Sequence, residues 1–247
     1  MKLKYLKILI LLLISTGLRA QNMVGEVEYR YRIFYDKIYS NLPHITEQEK
    51  DRILLSWSNP DGYSTRMKLQ FWPEKSIYTF GEPYQVQSYS WQVNDYLIEN
   101  NLEDQTYLKY MDQMGKTYIV RDSLNTPKWR VMNEIRDILG HMCMKAVSED
   151  SIKGQKITAW FASDIPVPTG PEEQFGLPGL ILAYDINDGM LIVEAEKITF
   201  GEPEEIITLP RKMRGREVSG TKYQDLAREF IQSSIKSKRA WMWEIRY

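Results

Sequence analysis

From Glu26 to Ile33 the chain alternates without a break: Val27, Tyr29, Tyr31 and Ile33 are interleaved with Glu26, Glu28, Arg30 and Arg32. Successive side chains of a strand point to opposite faces, so this period of two predicts a strand with one buried and one wet face. Weaker versions of the pattern predict strands at Arg66 to Trp72, Ile77 to Phe80, Tyr107 to Met111, Lys116 to Arg121 and Lys128 to Asn133. Others fall at Gly140 to Val147, Lys156 to Ser163, Leu180 to Tyr184 and Met190 to Phe200. Links such as Asn59-Pro60-Asp61-Gly62 and Asn187-Asp188-Gly189 carry turn chemistry, and short strands joined this way favour antiparallel neighbours.

Two segments change the period from two to 3.6. Thr46 followed by Glu49 has capping-box spacing, which predicts a short helix from Thr46 to Leu55. Tyr223, Leu226, Ala227, Phe230, Ile231, Ser234 and Ile235 share a helical face, with Thr221 and Gln224 as a second capping pair. The fold class expected is mainly β, a β-rich α+β protein. It is read as a curved antiparallel sheet or partial barrel with a short helix in the N-terminal half and a C-terminal helix covering the sheet. No repeat or linker divides residues 21–247, so one domain is expected.

The first 20 residues belong to a different kind of segment. Lys2, Lys4 and Lys7 precede an apolar run from Ile8 to Ile14, followed by the small and polar Ser15, Thr16, Gly17 and Ala20. That is a secretory signal peptide, too short to span a bilayer, which needs roughly 20 apolar residues. Cleavage after Ala20 would start the mature chain at Gln21, and no cysteine near that junction could carry a lipoprotein anchor. The expected address is therefore the periplasm, or association with the outer membrane. With 43% hydrophobic and 26% charged residues the chain can bury a core. A formal charge of −1, more negative once Lys2, Lys4, Lys7 and Arg19 leave, supplies no basic field for a nucleic acid. A lone cysteine, Cys143, cannot form an internal disulfide, so stability must come from packing.

Four segments then run in a fixed order: Gly140-His-Met-Cys-Met-Lys-Ala146, Lys156-Ile-Thr-Ala-Trp-Phe161, Asp164-Ile-Pro-Val-Pro-Thr-Gly-Pro171 and Phe175-Gly-Leu-Pro-Gly-Leu-Ile-Leu182. In this the chain resembles the GLPGLI family of exported bacterial envelope proteins, whose name is spelled here by Gly176 to Ile181. The resemblance implies an envelope protein. It implies no activity, cofactor or catalytic residue.

The same segments hold the candidate sites. Pro178-Gly179 has the residues a type II turn wants, with Gly179 in left-handed conformation, which reads as a packed turn setting strand register. The prolines at 166, 168 and 171 forbid a central strand and predict a stiff exposed loop, either a connector or a partner contact. Together Pro166, Pro168, Pro171, Phe175, Gly176, Leu177, Pro178 and Gly179 form the candidate partner-binding or structural turn. His141, Met142, Cys143 and Met144 have metal-ligand chemistry, but on a strand His141 and Cys143 face one way and the methionines the other, so Cys143 reads as core. No metal, cofactor or catalytic group is assigned. Trp241, Trp243, Ile245 and Tyr247 alternate and predict a final strand completing the sheet. These observations favour a non-enzymatic binding or accessory module in the periplasm, its partner an apolar ligand sheltered by the sheet or an outer-membrane protein. An envelope hydrolase whose carboxylates the sequence does not single out is the alternative.

Overall fold

The structure is a computed structural model that describes residues 23–84 and 96–247; the signal-peptide expectation lies outside the described residues. Its strands are β1 (Gly25–Ile33), β2 (Tyr63–Phe71), β3 (Lys75–Phe80), β4 (Tyr96–Asn101), β5 (Thr106–Gln113) and β6 (Lys116–Ser123). They continue as β7 (Arg130–Ile138), β8 (His141–Asp150), β9 (Gln155–Ala162), β10 (Leu180–Ile186), β11 (Leu191–Phe200) and β12 (Arg216–Val218). Helices α1 (Tyr35–Ser40), α2 (Glu47–Trp57) and α3 (Gly220–Lys236) complete the described elements. All the strands form one open sheet in the order β12-β6-β5-β4-β3-β2-β1-β11-β10-β9-β8-β7. Every pairing is antiparallel except the parallel β12–β6 contact, so the β-rich expectation holds and the sheet is mixed.

Strand β1 lies inside the sheet, between β2 and β11, and its alternation assigns the two faces. Val27, Tyr29, Tyr31 and Ile33 are all buried on what we call the inner face, while the charged set lies on the outer face. The inner face is covered by the chain itself. Helix α3 lies near β6, with Tyr223 edge-on to Tyr118 at 5.5 Å between ring centroids. Its N-cap is Ser219, whose hydroxyl accepts from the Lys222 amide at 3.2 Å, so the Thr221 and Gln224 pair is not the cap. Helix α2 keeps the predicted Thr46 cap, with Oγ1 accepting from the Glu49 amide.

On the outer face the two halves of the sheet differ. Over β3 to β6, Ile77, Leu97, Leu108, Tyr110 and Ile119 make a second apolar cluster, covered by Ile207, Leu209 and Met213 from the segment after β11. Gln70 fastens that segment, donating to the Glu205 carbonyl at 2.6 Å and accepting from the Ile207 amide at 2.9 Å. Over β1, β11, β10, β9 and β8 the outer positions are largely charged or polar, and this half carries the site described below.

The largest departure from the sequence reading is at residues 241–247. They form a tight turn, not a strand: the amides of Glu244 and Ile245 both donate to the Trp241 carbonyl at 3.1 Å. Trp241, Met242, Ile245 and Tyr247 are buried, with Trp241 and Ile245 one helical turn apart, and Trp243 stacks on Tyr35 at 4.5 Å. A strand there would have needed a free sheet edge; the turn instead fills the inner face.

The proline segment departs in the same direction. The Val167 amide donates to the Ile165 carbonyl and the Thr169 amide to the Val167 carbonyl, each at 2.8 Å. These are consecutive three-residue turns centred on Pro166 and Pro168, whose fixed φ suits that position and whose missing N–H is not needed there. Ile165, Val167 and Thr169 are therefore all buried while Pro166 and Pro168 point to solvent. The expected stiff loop is present, but as a strap with one side packed on the inner face, not as an exposed loop.

Gly179 corrects a third expectation. Its φ is +159° and its amide donates to the Leu177 carbonyl at 2.8 Å, while the Leu180 amide is taken by Ile165 at 2.9 Å. That is a three-residue turn around Pro178 running into β10, not a type II turn. The glycine is required by close approach instead: a Cβ would lie 2.2 Å from the Ala162 carbonyl oxygen.

Candidate functional site

Inside the sheet the strap and the C-terminal turn meet at a buried ion pair. Glu172, at the end of the strap, accepts from Arg246 Nε at 2.8 Å and Nη2 at 2.6 Å. Tyr78 of β3 donates to the same carboxylate at 3.2 Å, and Tyr96 of β4 donates to its second oxygen. The guanidinium lies over the rings of Tyr31 at 4.1 Å and Tyr96 at 4.4 Å. Burial, and then the Glu172 charge, push the Tyr78 and Tyr96 phenols well above their ordinary range, so both act as donors. Burial alone would lower the Arg246 pKa; the Glu172 charge and the surrounding tyrosines more than reverse it. Every polar atom of this carboxylate is used within the protein, and the cluster works as a clasp between two segments.

The sequence-predicted site residues belong to that clasp and its surroundings. Pro171, Leu177 and Gly179 are buried, Phe175 and Gly176 half-buried, and Pro166, Pro168 and Pro178 exposed. Trp129 donates to the Phe175 carbonyl at 2.8 Å, Ser76 and Thr169 share a buried hydrogen bond at 2.7 Å, and Tyr29 donates to the Ile181 carbonyl at 2.7 Å. These bonds hold the motif to the sheet, while Pro166, Pro168 and Pro178 stay on the surface.

The sulfur cluster divides as strand geometry requires: Cys143 is fully buried, whereas Met142 and Met144 are 54% and 36% exposed. His141 Nδ1 lies 2.6 Å from Asp164, and among the described residues no group of three or more metal-ligating His, Cys, Asp or Glu side chains is assembled. Burial, with Asp164 adding to it, pushes the Cys143 thiol up to about 12. Iodoacetamide at pH 8 should therefore leave Cys143 unmodified in the folded protein and label it fully in urea. Labelling at the same rate in both conditions would place the thiol on the surface.

The open site lies on the outer face, and strand register builds it. One row across the sheet reads Arg30 (β1), Glu194 (β11), Ala183 (β10), Trp160 (β9) and Lys145 (β8). The next row reads Arg32, Ile192, Asp185, Thr158 and Val147. Ala183, the smallest side chain in its row, is 2% exposed and lies at the floor between larger neighbours. The result is a groove of about 350 Å³ walled by Trp160, Arg136, Lys145, Glu194, Arg32 and Asp185. It shares Asp188 with a second depression, of about 550 Å³, between α1 and the β10–β11 turn.

Charges in the groove are mostly answered from within. Arg136 holds Glu194 at 2.6 Å, and Lys145 holds Glu134 at 2.9 Å. Both cations also flank the Trp160 ring, each 5.8 Å from its centroid. Arg32 is different: it makes no ion pair among the described residues, and its Nε is shielded from water without an acceptor. Asp185 is half-buried, and burial followed by the Asp188 charge raises its carboxyl above the usual carboxylate range. Such a surface can bind a polar molecule with one flat apolar side. The sequence carried no signal for this site, because Arg32, Trp160 and Asp185 become neighbours only through pairing across β1, β11, β10 and β9.

Three comparisons complete the description. Residues 147–183, from within β8 to within β10 and including Gly176 to Ile181, match the family described as "Protein of unknown function (Porph_ging)". No curated protein matches the chain. Among solved structures it is similar to PNGF-II in two crystal forms, P21 and C2, at 16% and 15% identity, each with a TM-score of 0.54. The similarity covers 83% of this chain and 33% and 32% of those chains, so this protein spans about a third of the length of the structures it matches. The likeness is one of fold.

Proposed function

We propose that this protein is a non-enzymatic binding module of the bacterial envelope, exported to the periplasm, that holds a polar ligand in the groove above Ala183. The observation that carries the reading is the contrast between the two faces of the sheet. The inner face, where a sheltered apolar ligand would sit, is occupied by the strap, the C-terminal turn and α3. The outer groove is open and is lined by Arg32, which makes no ion pair among the described residues, and three strands away by the Trp160 indole. The match over residues 147–183 supports a bacterial envelope-type family, and the motif order favours the GLPGLI family; both point to an envelope address.

Two measurements test it. Immobilised mature protein exposed to envelope extract should retain a polar small molecule or glycan that the Trp160→Ala variant fails to retain. Equal retention by the variant, or conversion of the bound material into a new product, would remove the groove or the non-enzymatic reading respectively. The address is tested separately: periplasmic extracts should contain a chain beginning at or near Gln21 without an acyl group. A full-length cytoplasmic chain would contradict export.

A further inference from the structure

We infer that the groove takes an acidic saccharide, with one sugar ring laid on Trp160 and a carboxylate on Arg32; this rests on the reading of the groove as the ligand site. The charge pattern supplies the first half of the argument. Arg136 and Lys145 are neutralised by Glu194 and Glu134, and Lys156, from outside the lining, meets the groove's Asp188 at 3.1 Å. Arg32 lines the groove and makes no ion pair among the described residues, so its charge has no counter-charge there. A cation lining a groove without a counter-charge favours an anionic ligand, and a planar guanidinium pairs best with a planar carboxylate. The ligand therefore brings a negative group to one end of the groove.

The aromatic wall supplies the second half. Trp160 stands three strands away from Arg32, a distance of about 14 Å between backbones at ordinary strand spacing, which the two long side chains narrow from either side. An inorganic anion could satisfy Arg32 but would make no use of the indole. A pyranose ring has a flat C–H face that an indole can cover and a rim of hydroxyls that donate and accept. Asp185 and Glu194 offer acceptors around that rim. A densely charged polymer is disfavoured, because Asp185, Asp188 and Glu194 line the same groove and would repel it. What fits is a mostly neutral sugar chain with isolated carboxylates.

A matched pair of probes separates the possibilities: cellobiouronic acid and cellobiose share a skeleton and differ by one carboxylate. Titration followed by tryptophan fluorescence and amide NMR shifts at low salt should show the acid binding at least about tenfold more tightly than the neutral sugar. Arg32→Gln should reduce the acid to the level of cellobiose, and Trp160→Ala should weaken both, with thermal melting confirming that each variant folds. Equal affinity for the two sugars, insensitivity to Arg32→Gln, or displacement of the acid by millimolar sulfate at the affinity sulfate shows alone would overturn the acidic-saccharide assignment while leaving the groove as a ligand site. Binding that survives Trp160→Ala and shifts amides elsewhere would overturn the groove itself. Failure of the wild type to bind either sugar would overturn the saccharide assignment without touching a groove that still retains its ligand from envelope extract.

Discussion

Replacing Arg246 by alanine should lower the unfolding free energy by about 3 to 5 kcal/mol, the usual cost of leaving one member of a buried ion pair alone. The Glu172 side chain is 8% exposed and that of Arg246 17%, so solvent can replace little of what is lost. In the variant, Glu172 keeps the hydroxyls of Tyr78 and Tyr96 but loses two charge-assisted hydrogen bonds. The rings of Tyr31 and Tyr96 lose the cation between them. Urea unfolding measures the change, and because Trp241 and Trp243 sit in the same turn, their emission should shift to the red as that turn loosens. Pairing Arg246→Met with Glu172→Leu removes the stranded charge but leaves the Tyr78 and Tyr96 hydroxyls without their acceptor, so it should recover only part of the loss. A single variant within 1 kcal/mol of wild type would mean that the turn at residues 241–247 is not docked on the inner face in solution.

How far the fold could be read from the sequence depended on whether the determining contact was local. The alternation of β1 assigns both faces of the sheet, and Thr46 caps α2 through an amide three residues away, because strand pleat and helix cap are local geometry. Cys143 and the methionines beside it fall on the sides that a strand gives them. At residues 241–247, in contrast, alternation is ambiguous: the same aromatic residues make a buried turn once Tyr35 and Tyr39 offer partners to Trp243 and no strand edge is used. The proline strap was half legible. Its stiffness follows from Pro166 and Pro168, but the burial of Ile165, Val167 and Thr169 is fixed by distant groups, among them Ser76 on β3 and the Ile181 amide on β10. Neither the clasp nor the groove has a local signature. Glu172 and Arg246 are 74 residues apart, and the groove depends on the register of antiparallel pairs that join residues 32, 192, 185 and 158 into one row.

Gly179→Val should also destabilise the protein strongly, and for a reason the turn sequence does not announce. At the head of β10 the chain passes so close to the end of β9 that a Cβ on residue 179 would lie 2.2 Å from the Ala162 carbonyl oxygen and 3.0 Å from Ser163 Cα. Both obstacles are backbone, so neither can move aside by changing a rotamer. The Ala162 carbonyl also accepts the Ile165 amide, which starts the strap, so pushing it away disturbs the strap and the β9–β10 pairing together. Overpacking a fixed site costs about 1 to 3 kcal/mol and more where backbone must shift. Gly179→Ala places the same Cβ against the same oxygen and should lose most of what valine loses. Under a left-handed turn the expected order is different: alanine would lose about 1 kcal/mol and asparagine, which tolerates that conformation, less still. Thermal unfolding of the alanine, asparagine and valine variants decides between the two. Losses that are large and nearly equal identify the backbone approach, whereas a mild asparagine variant would restore the left-handed turn. Because residue 179 lies at the head of the strand that carries Ala183 and Asp185, any of these variants that still folds should also show a weaker groove.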